Sequence, residues 1–210
     1  MDEFIDRLRR ARIGATFNFY RDGAGAAIRR ERLRRYLEAR AEAPLLLVGE
    51  AAGYRGARAS GIPFSSERQL TGTGPAEATA TIVRRVLAEL ALEEETLCWN
   101  VVPTHPHLPG RPDTNRRPTR NEIDASRPFL DELSANRRVI AVGRLAQATF
   151  GSLNHLRHPS HGGADAFRAG LVELTASQAR SASSFSACGA GATARPVGSS
   201  TRLSTRIPCT

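Results

Sequence analysis

Apolar and polar positions along this chain follow two periods that take turns. Leu45-Leu46-Leu47-Val48, bounded by Pro44 and Gly49, is a short continuous apolar run of the kind that forms a buried strand. Leu97 to Val102 and Val139 to Val142 read the same way. Between them apolar residues recur at helical spacing: Ile28, Leu33, Tyr36 and Leu37 within 26–39, then Ile82, Val83, Val86, Leu87 and Leu90 within 76–90. Thr119 and Glu122 stand at capping-box spacing and predict a helix to about Leu133, bent at Pro128. Gly143 turns the third strand into a helix ending near Phe150. A short last strand leads to His158, and a helix spans 164–174. Residues 1–24 are mixed and basic, and Gly14, Gly23 and Gly25 break any long helix there. Strands alternating with helices predict an α/β fold with a parallel sheet covered on both faces.

Length and composition narrow this picture. A chain of 210 residues suits one domain, placed here at 1–175. From Ala176 onward there are four arginines, no acids and 22 Ser, Thr, Ala or Gly, so 176–210 is expected to be a disordered basic tail. The net charge of +9 favours a polyanionic partner. All the basic residues are arginine, so no side-chain amine is present to act as a nucleophile. Cys98, Cys188 and Cys209 are too few and too scattered for a disulfide framework or a four-thiolate cluster. No apolar run reaches membrane-spanning length and no signal-peptide segment opens the chain. A soluble cytoplasmic monomer with no membrane association is expected.

Three segments carry chemistry. The first strand runs into glycines at 49, 53, 56 and 61, ending in Gly61-Ile62-Pro63-Phe64. Such a loop brings backbone N–H groups close to a ligand's oxygens, and an aromatic stiffened by Pro63 offers a stacking surface. Asn100, at the end of the second strand, carries a donor and an acceptor that match uracil's N3–H and O4 and mismatch cytosine. His158, in His158-Pro159-Ser160-His161-Gly162-Gly163, is suited to stabilise the anion that develops at O2 as a glycosidic bond breaks. Gly49, Asn100 and His158 all fall at carboxyl ends of strands, where parallel sheets bind ligands.

With these residues in place, the chain resembles the uracil-DNA glycosylase superfamily over roughly residues 45–174. Gly49-Glu50-Ala51-Ala52-Gly53 is similar to its GEAPG first motif with Ala52 in place of proline, and His158-Pro159-Ser160 to its second. Gly61-Ile62-Pro63-Phe64 and the stretch Asn115 to Ile123 also resemble its members. The resemblance implies a three-layer sandwich with a parallel sheet of about four strands, and a monofunctional glycosylase removing uracil or a related deaminated base from DNA. It implies that N–H groups from Glu50 to Ala52, with Gly49 and Ala51 lining the site, hold the base near O2. Phe64 then stacks on the base, Asn100 reads its edge, and Ser160, His161 and Gly162 probe the duplex. Arg116 and Arg117 are candidate phosphate contacts. Glu50 is the candidate for positioning water, because Ala51 has no polar group and no acid follows soon after Gly53; a loop acid paired with an arginine is the competing reading. Gly53 stands where some branches carry a tyrosine that crowds thymine's methyl, so 5-substituted uracils are expected to be tolerated. No cofactor is expected. The iron–sulfur cysteines of some relatives are missing, and Pro159 keeps His155, His158 and His161 off one helix face, so no metal is assigned even with His105 and His107 nearby. Two other readings remain open: a non-catalytic nucleic-acid-binding protein on this fold, and a metal-dependent hydrolase.

Overall fold

The structure, a computed structural model, describes residues 1–151 and 154–187. Its centre is a parallel sheet of four strands, β2 (Leu45–Ala51), β3 (Thr96–Val102), β5 (Arg138–Val142) and β6 (His155–Leu156), in the order β3-β2-β5-β6. A two-stranded antiparallel ribbon pairs β1 (Thr16–Phe17) with β4 (His105–Pro106). Helices flank the sheet to give the three-layer α/β sandwich: α1 (Asp2–Arg10), α2 (Ala26–Ala39), α3 (Ala57–Ser60), α4 (Glu67–Thr71), α5 (Ala78–Glu89), α6 (Arg120–Ser134), α7 (Arg144–Phe150) and α8 (Ala164–Ala187). Residues Met1–Leu174 form one compact unit. Every residue of β3 is buried, as are the first five of β2, which explains why both strands read as unbroken apolar runs.

Several differences from expectation have physical reasons. The first strand continues through Ala51, so Gly49, Glu50 and Ala51 belong to the sheet edge rather than to a loop. The ladder to β5 ends at Val48 while the ladder to β3 reaches Ala51, so the last turn of the strand is paired on one side only. Residues 2–10 form a helix that the sequence reading omits. Phe4, Ile5 and Leu8 bury one face of it, and the Phe4 ring packs edge-on against Trp99 at 5.7 Å and Phe129 at 5.6 Å. Arg7 on its outer face pairs with Glu132 of α6. Helix α8 runs past residue 174 to Ala187, where the sequence predicts disorder from 176. Extending an existing helix through Ala-rich sequence avoids the cost of nucleation. The remainder of that predicted tail, 188–210, lies outside the described residues.

One buried carboxylate ties the cavity side of the fold together. Glu122 completes the predicted capping box, accepting the Thr119 N–H at 2.9 Å while Thr119 Oγ1 accepts the Glu122 N–H. It also accepts the Ala15 N–H at 3.2 Å and both terminal nitrogens of Arg116, at 2.6 and 2.8 Å. A Cβ on Gly14 would lie 2.5 Å from Glu122 Cγ, and φ there is +51°, so glycine is required on both counts.

Glu122 is 1% exposed, and Arg116 is first among the groups that hold its carboxyl below the ordinary value of 4.5. A carboxyl depressed in the folded state contributes stability that is present above its unfolded value and is lost as pH falls through its folded one. Glu122→Gln should therefore destabilise the protein by about 3 kcal/mol near neutrality, since it leaves Arg116 half-buried and unpaired. The variant should also lose stability less steeply than the parent below pH 4.5. Parallel urea titrations across pH 3–7 measure both effects, and parent-like curves would refute the role given to this carboxylate.

Candidate active site

The site begins with a register. Parallel pairing of β2 and β3 sets Gly49 beside Asn100. A Cβ on Gly49 would meet Phe64 Cζ at 2.5 Å and Asn100 Oδ1 at 2.9 Å, so glycine is what lets the ring and the amide close over the strand end. Phe64 takes φ +50°, a left-handed conformation that bulky residues rarely adopt and that a surrounding fold must enforce. Its ring is 7% exposed.

Asn100 is 5% exposed, and its side-chain amide makes no hydrogen bond to another described residue. An amide in such surroundings normally has partners. Here the side chain lines a cavity of about 390 Å³, whose walls also include Gly49, Ala51, Phe64 and His158. That volume is in the range of small-ligand sites.

His158 follows β6 and enters the cavity from the opposite side. The Ser160 backbone N–H donates to its Nδ1 at 3.3 Å, and Ser160 Oγ lies 2.8 Å from the same atom. A backbone N–H only donates, so Nδ1 is the acceptor and the proton of the neutral ring sits on Nε2. Burial, helped by the nearby His161, pushes the imidazole below its usual 6.5. The ring is therefore neutral at pH 7 and offers one N–H donor. The fold opposes its protonation, so stability drawn from this group declines as pH falls through the window below 6.5. A Cβ on Gly143, at the β5–α7 turn, would touch the His158 side chain at 3.6 Å.

The first motif is braced from behind. Asn115 Oδ1 accepts the Tyr54 N–H at 2.9 Å. His105, fully buried, donates from Nδ1 to the Ala52 carbonyl at 2.8 Å, while Nε2 faces the Pro112 carbonyl at 3.3 Å. His105 is thus a strut behind the first motif. The Ala52 N–H bonds to the Val102 carbonyl at 3.2 Å, so of the three expected base-holding amides this one is committed to the sheet.

The two expected phosphate contacts fare differently. Both terminal nitrogens of Arg116 are spent on Glu122 and its Nε donates to the His107 carbonyl at 2.9 Å, so its role is structural. Arg117 is exposed. His161 and Gly162 are also exposed, at φ +52° and +73°, on the loop after His158. Glu50 lines the cavity and is half-buried; burial raises its carboxyl and Arg117 opposes the rise. Strand alternation sends its side chain to the face opposite Gly49 and Ala51. The sequence reading missed Glu77 and Arg144 and gave no site role to Asn115, although it begins the family-like stretch; all three line the cavity. Nothing in the spacing of Glu77 or Arg144 from the motifs marks them, because their approach is set by the path of the chain.

A strand-end glycine, a buried unpaired asparagine and a neutral histidine around one cavity are accompanied by a family match: the profile of the Uracil DNA glycosylase superfamily covers residues 37–186. The chain belongs to that superfamily. Its fold is similar to that in the crystal structure of wild-type SMUG2 from Pedobacter heparinus, with a TM-score of 0.61 over 86% of this chain and 97% of that one. Sequence identity there is 13%, so the likeness speaks to the fold alone. No curated protein matches the chain. Within the superfamily's first motif, the position that is Ala51 here supplies only a methyl group to the cavity. Its fifth position, Gly53, has no side chain, and the space a Cβ would take there is filled by the carboxylate of Glu77.

The packing over Gly49 is testable without any activity. Gly49→Ala should cost about 1–3 kcal/mol as an overpacked site. Adding Phe64→Leu, whose shorter side chain vacates the contact, should recover part of that loss. A double-mutant cycle by urea unfolding reads the coupling. Strict additivity would show that the ring does not rest on this glycine.

Proposed function

We propose that the chain is a monofunctional DNA glycosylase that excises uracil, or a related deaminated base, from DNA as a cytoplasmic monomer, with the catalytic domain within 1–175. The observation that carries this reading is the Asn100 side chain, 5% exposed and without a protein partner among the described residues, lining one cavity with Phe64 and His158. An amide held without a partner is complementary to a ligand edge that brings both a donor and an acceptor, as uracil's N3–H and O4 do.

The target nucleotide leaves the stack to enter the cavity, at least cost where it is mispaired or single-stranded. Phe64 stacks on the base while Asn100 reads its edge. As the bond to the sugar breaks, negative charge grows on the base, and the His158 N–H strengthens its bond to O2 in the transition state more than in the ground state. A neutral donor suits this role because it need not give up its proton to be effective. Ser160, His161 and Gly162 face the duplex at the gap left by the base, and Arg117 contacts backbone phosphate. Glu50, at the edge of the cavity, adds negative charge near the sugar.

Base release from uracil-bearing oligonucleotides, single- and double-stranded, tests the reading. Release should persist in the presence of chelator. Loss of release on chelation would favour a metal-dependent hydrolase, and binding without release a non-catalytic binder. His158→Ala should slow release by about two to three orders of magnitude while altering DNA affinity little. Near-parental turnover by that variant would remove His158 from the mechanism.

Strand cleavage should not accompany base loss. Bifunctional glycosylases act through a Schiff base from an amine, and the chain's 210 residues include no lysine. Arginine stays protonated and cannot replace it. Borohydride added during turnover should trap no protein–DNA adduct, and product strands should break only after alkali or heat. A robust adduct would overturn the monofunctional assignment.

A further inference from the structure

Glu77 is a cavity carboxylate to which neither motif assigns a part. It stands immediately before α5, and its side chain turns back over the first-motif loop so closely that a Cβ on Gly53 or on Gly56 would collide with its oxygens. Those two glycines therefore make room for it. The carboxylate is largely buried and lines the same cavity as Asn100 and His158. Among the described residues no cation or hydrogen-bond donor pairs with it. Burial is the sole cause that moves its carboxyl, upward from the ordinary 4.5.

A buried carboxylate with no partner is costly and is kept where a ligand or a reaction uses it. Glu50 differs on both counts: its side chain leaves β2 on the face opposite Gly49, and Arg117 offsets its burial. Ala51, on the Gly49 face, has no group that can hold water.

We infer that Glu77 is the catalytic residue that holds and deprotonates the attacking water, a role that rests on the glycosylase reading above. The water oxygen bonds to C1′ of the sugar as the C1′–N bond breaks. The bonding pair leaves with the base as an anion spread onto O2, where the His158 N–H meets it, while Asn100 holds the N3–H and O4 edge. The water proton passes to the Glu77 carboxylate and then to solvent, and the departing base takes a proton from solvent. In the transition state the sugar carries positive charge, which the same carboxylate stabilises. A carboxyl raised by burial is a stronger base than an exposed one, and an unpaired one is free to turn toward water.

The test uses the full chain and a single-stranded oligonucleotide with one deoxyuridine, with release followed under single turnover and affinity by anisotropy. Glu77→Gln should slow release about a hundredfold, within the range of general-base removal, with affinity nearly unchanged. Its thermal midpoint should match or exceed the parent's, because an uncharged amide replaces a buried, unpaired charge. Gly53→Ala leaves the carboxylate in place chemically but pushes it aside, and should slow release as well. Parent-like release by Glu77→Gln overturns the assignment, as does a loss of release matched by a loss of thermal stability. Release that fails in Glu50→Gln but not in Glu77→Gln overturns it in favour of Glu50. A change confined to 5-hydroxymethyluracil, with uracil release intact, overturns it by making Glu77 a wall of the base pocket. If the parent chain itself releases no base, the glycosylase reading falls and Glu77's role falls with it.

Discussion

The parallel register that sets Gly49 beside Asn100 is the constraint on which the site depends. A shift of one residue would exchange the faces of β2, placing Glu50 where Gly49 lies and driving a carboxylate into the Phe64 ring. The register is held by burial: Leu45 to Val48 and all of β3 are enclosed by side chains on both faces, so slippage would disrupt the whole core. Beyond Val48 the strand loses its β5 neighbour and keeps β3. The sheet thus opens where the cavity forms, and the missing Cβ at 49 lets a ring and an amide converge there. Core packing and site geometry share one cause.

Around that fixed edge, the loops are positioned by directed hydrogen bonds, the buried Glu122 and His105 foremost, rather than by apolar contacts. Glu122 joins the start of α6, the Arg116 loop and the backbone at Ala15. His105 joins the first motif at Ala52 to the loop at Pro112, and Asn115 holds the Tyr54 amide. Loops cannot be fixed by hydrophobic burial without stranding their own peptide groups, so directed hydrogen bonds do the positioning. A further consequence is that residues which read as reactive in sequence, such as His105 and Arg116, turn out to be spent on scaffold.

What was legible in the sequence follows from this division. The strands, the capping box at Thr119 and the strand-end placement of Gly49, Asn100 and His158 are local patterns, set by period and by residue type. Helix α1 escaped because nine residues hold only three buried positions, although Asp2 and Glu3 at its start and Arg7, Arg9 and Arg10 at its end suit a helix dipole. Strands β1 and β4 are two residues each and have no period to read. The apolar run places the end of β2 at Gly49, since glycine weakens a strand interior, whereas in the fold the strand continues and a ring takes the place of the missing side chain. No local pattern marks Glu77, for a different reason. It lies 24 residues beyond Gly53 in sequence, and only the path of the chain through α3 and α4 brings its carboxylate back onto the first motif.

The charge layout gives the proposed chemistry its direction. The chain is strongly basic overall, and Arg117, Arg144 and Arg157 are exposed on segments next to the cavity, which favours approach of a polyanion. Within the cavity the ionisable side chains that burial shifts are Glu50, Glu77 and His158, and burial raises both carboxyls while keeping the imidazole neutral. Hydrolysis of an N-glycosidic bond separates charge, leaving the base negative and the sugar positive. Uncharged donors at Asn100 and His158 can strengthen with the base's charge, and carboxylates with the sugar's, while no buried ammonium is present to neutralise them. The basic side chains are all arginine, whose guanidinium groups stay charged and are held in water, in ion pairs such as Arg116–Glu122, or against backbone carbonyls as at Arg29 and Arg137. The exterior therefore attracts the phosphate backbone, and the interior responds to the polarity that develops along one breaking bond.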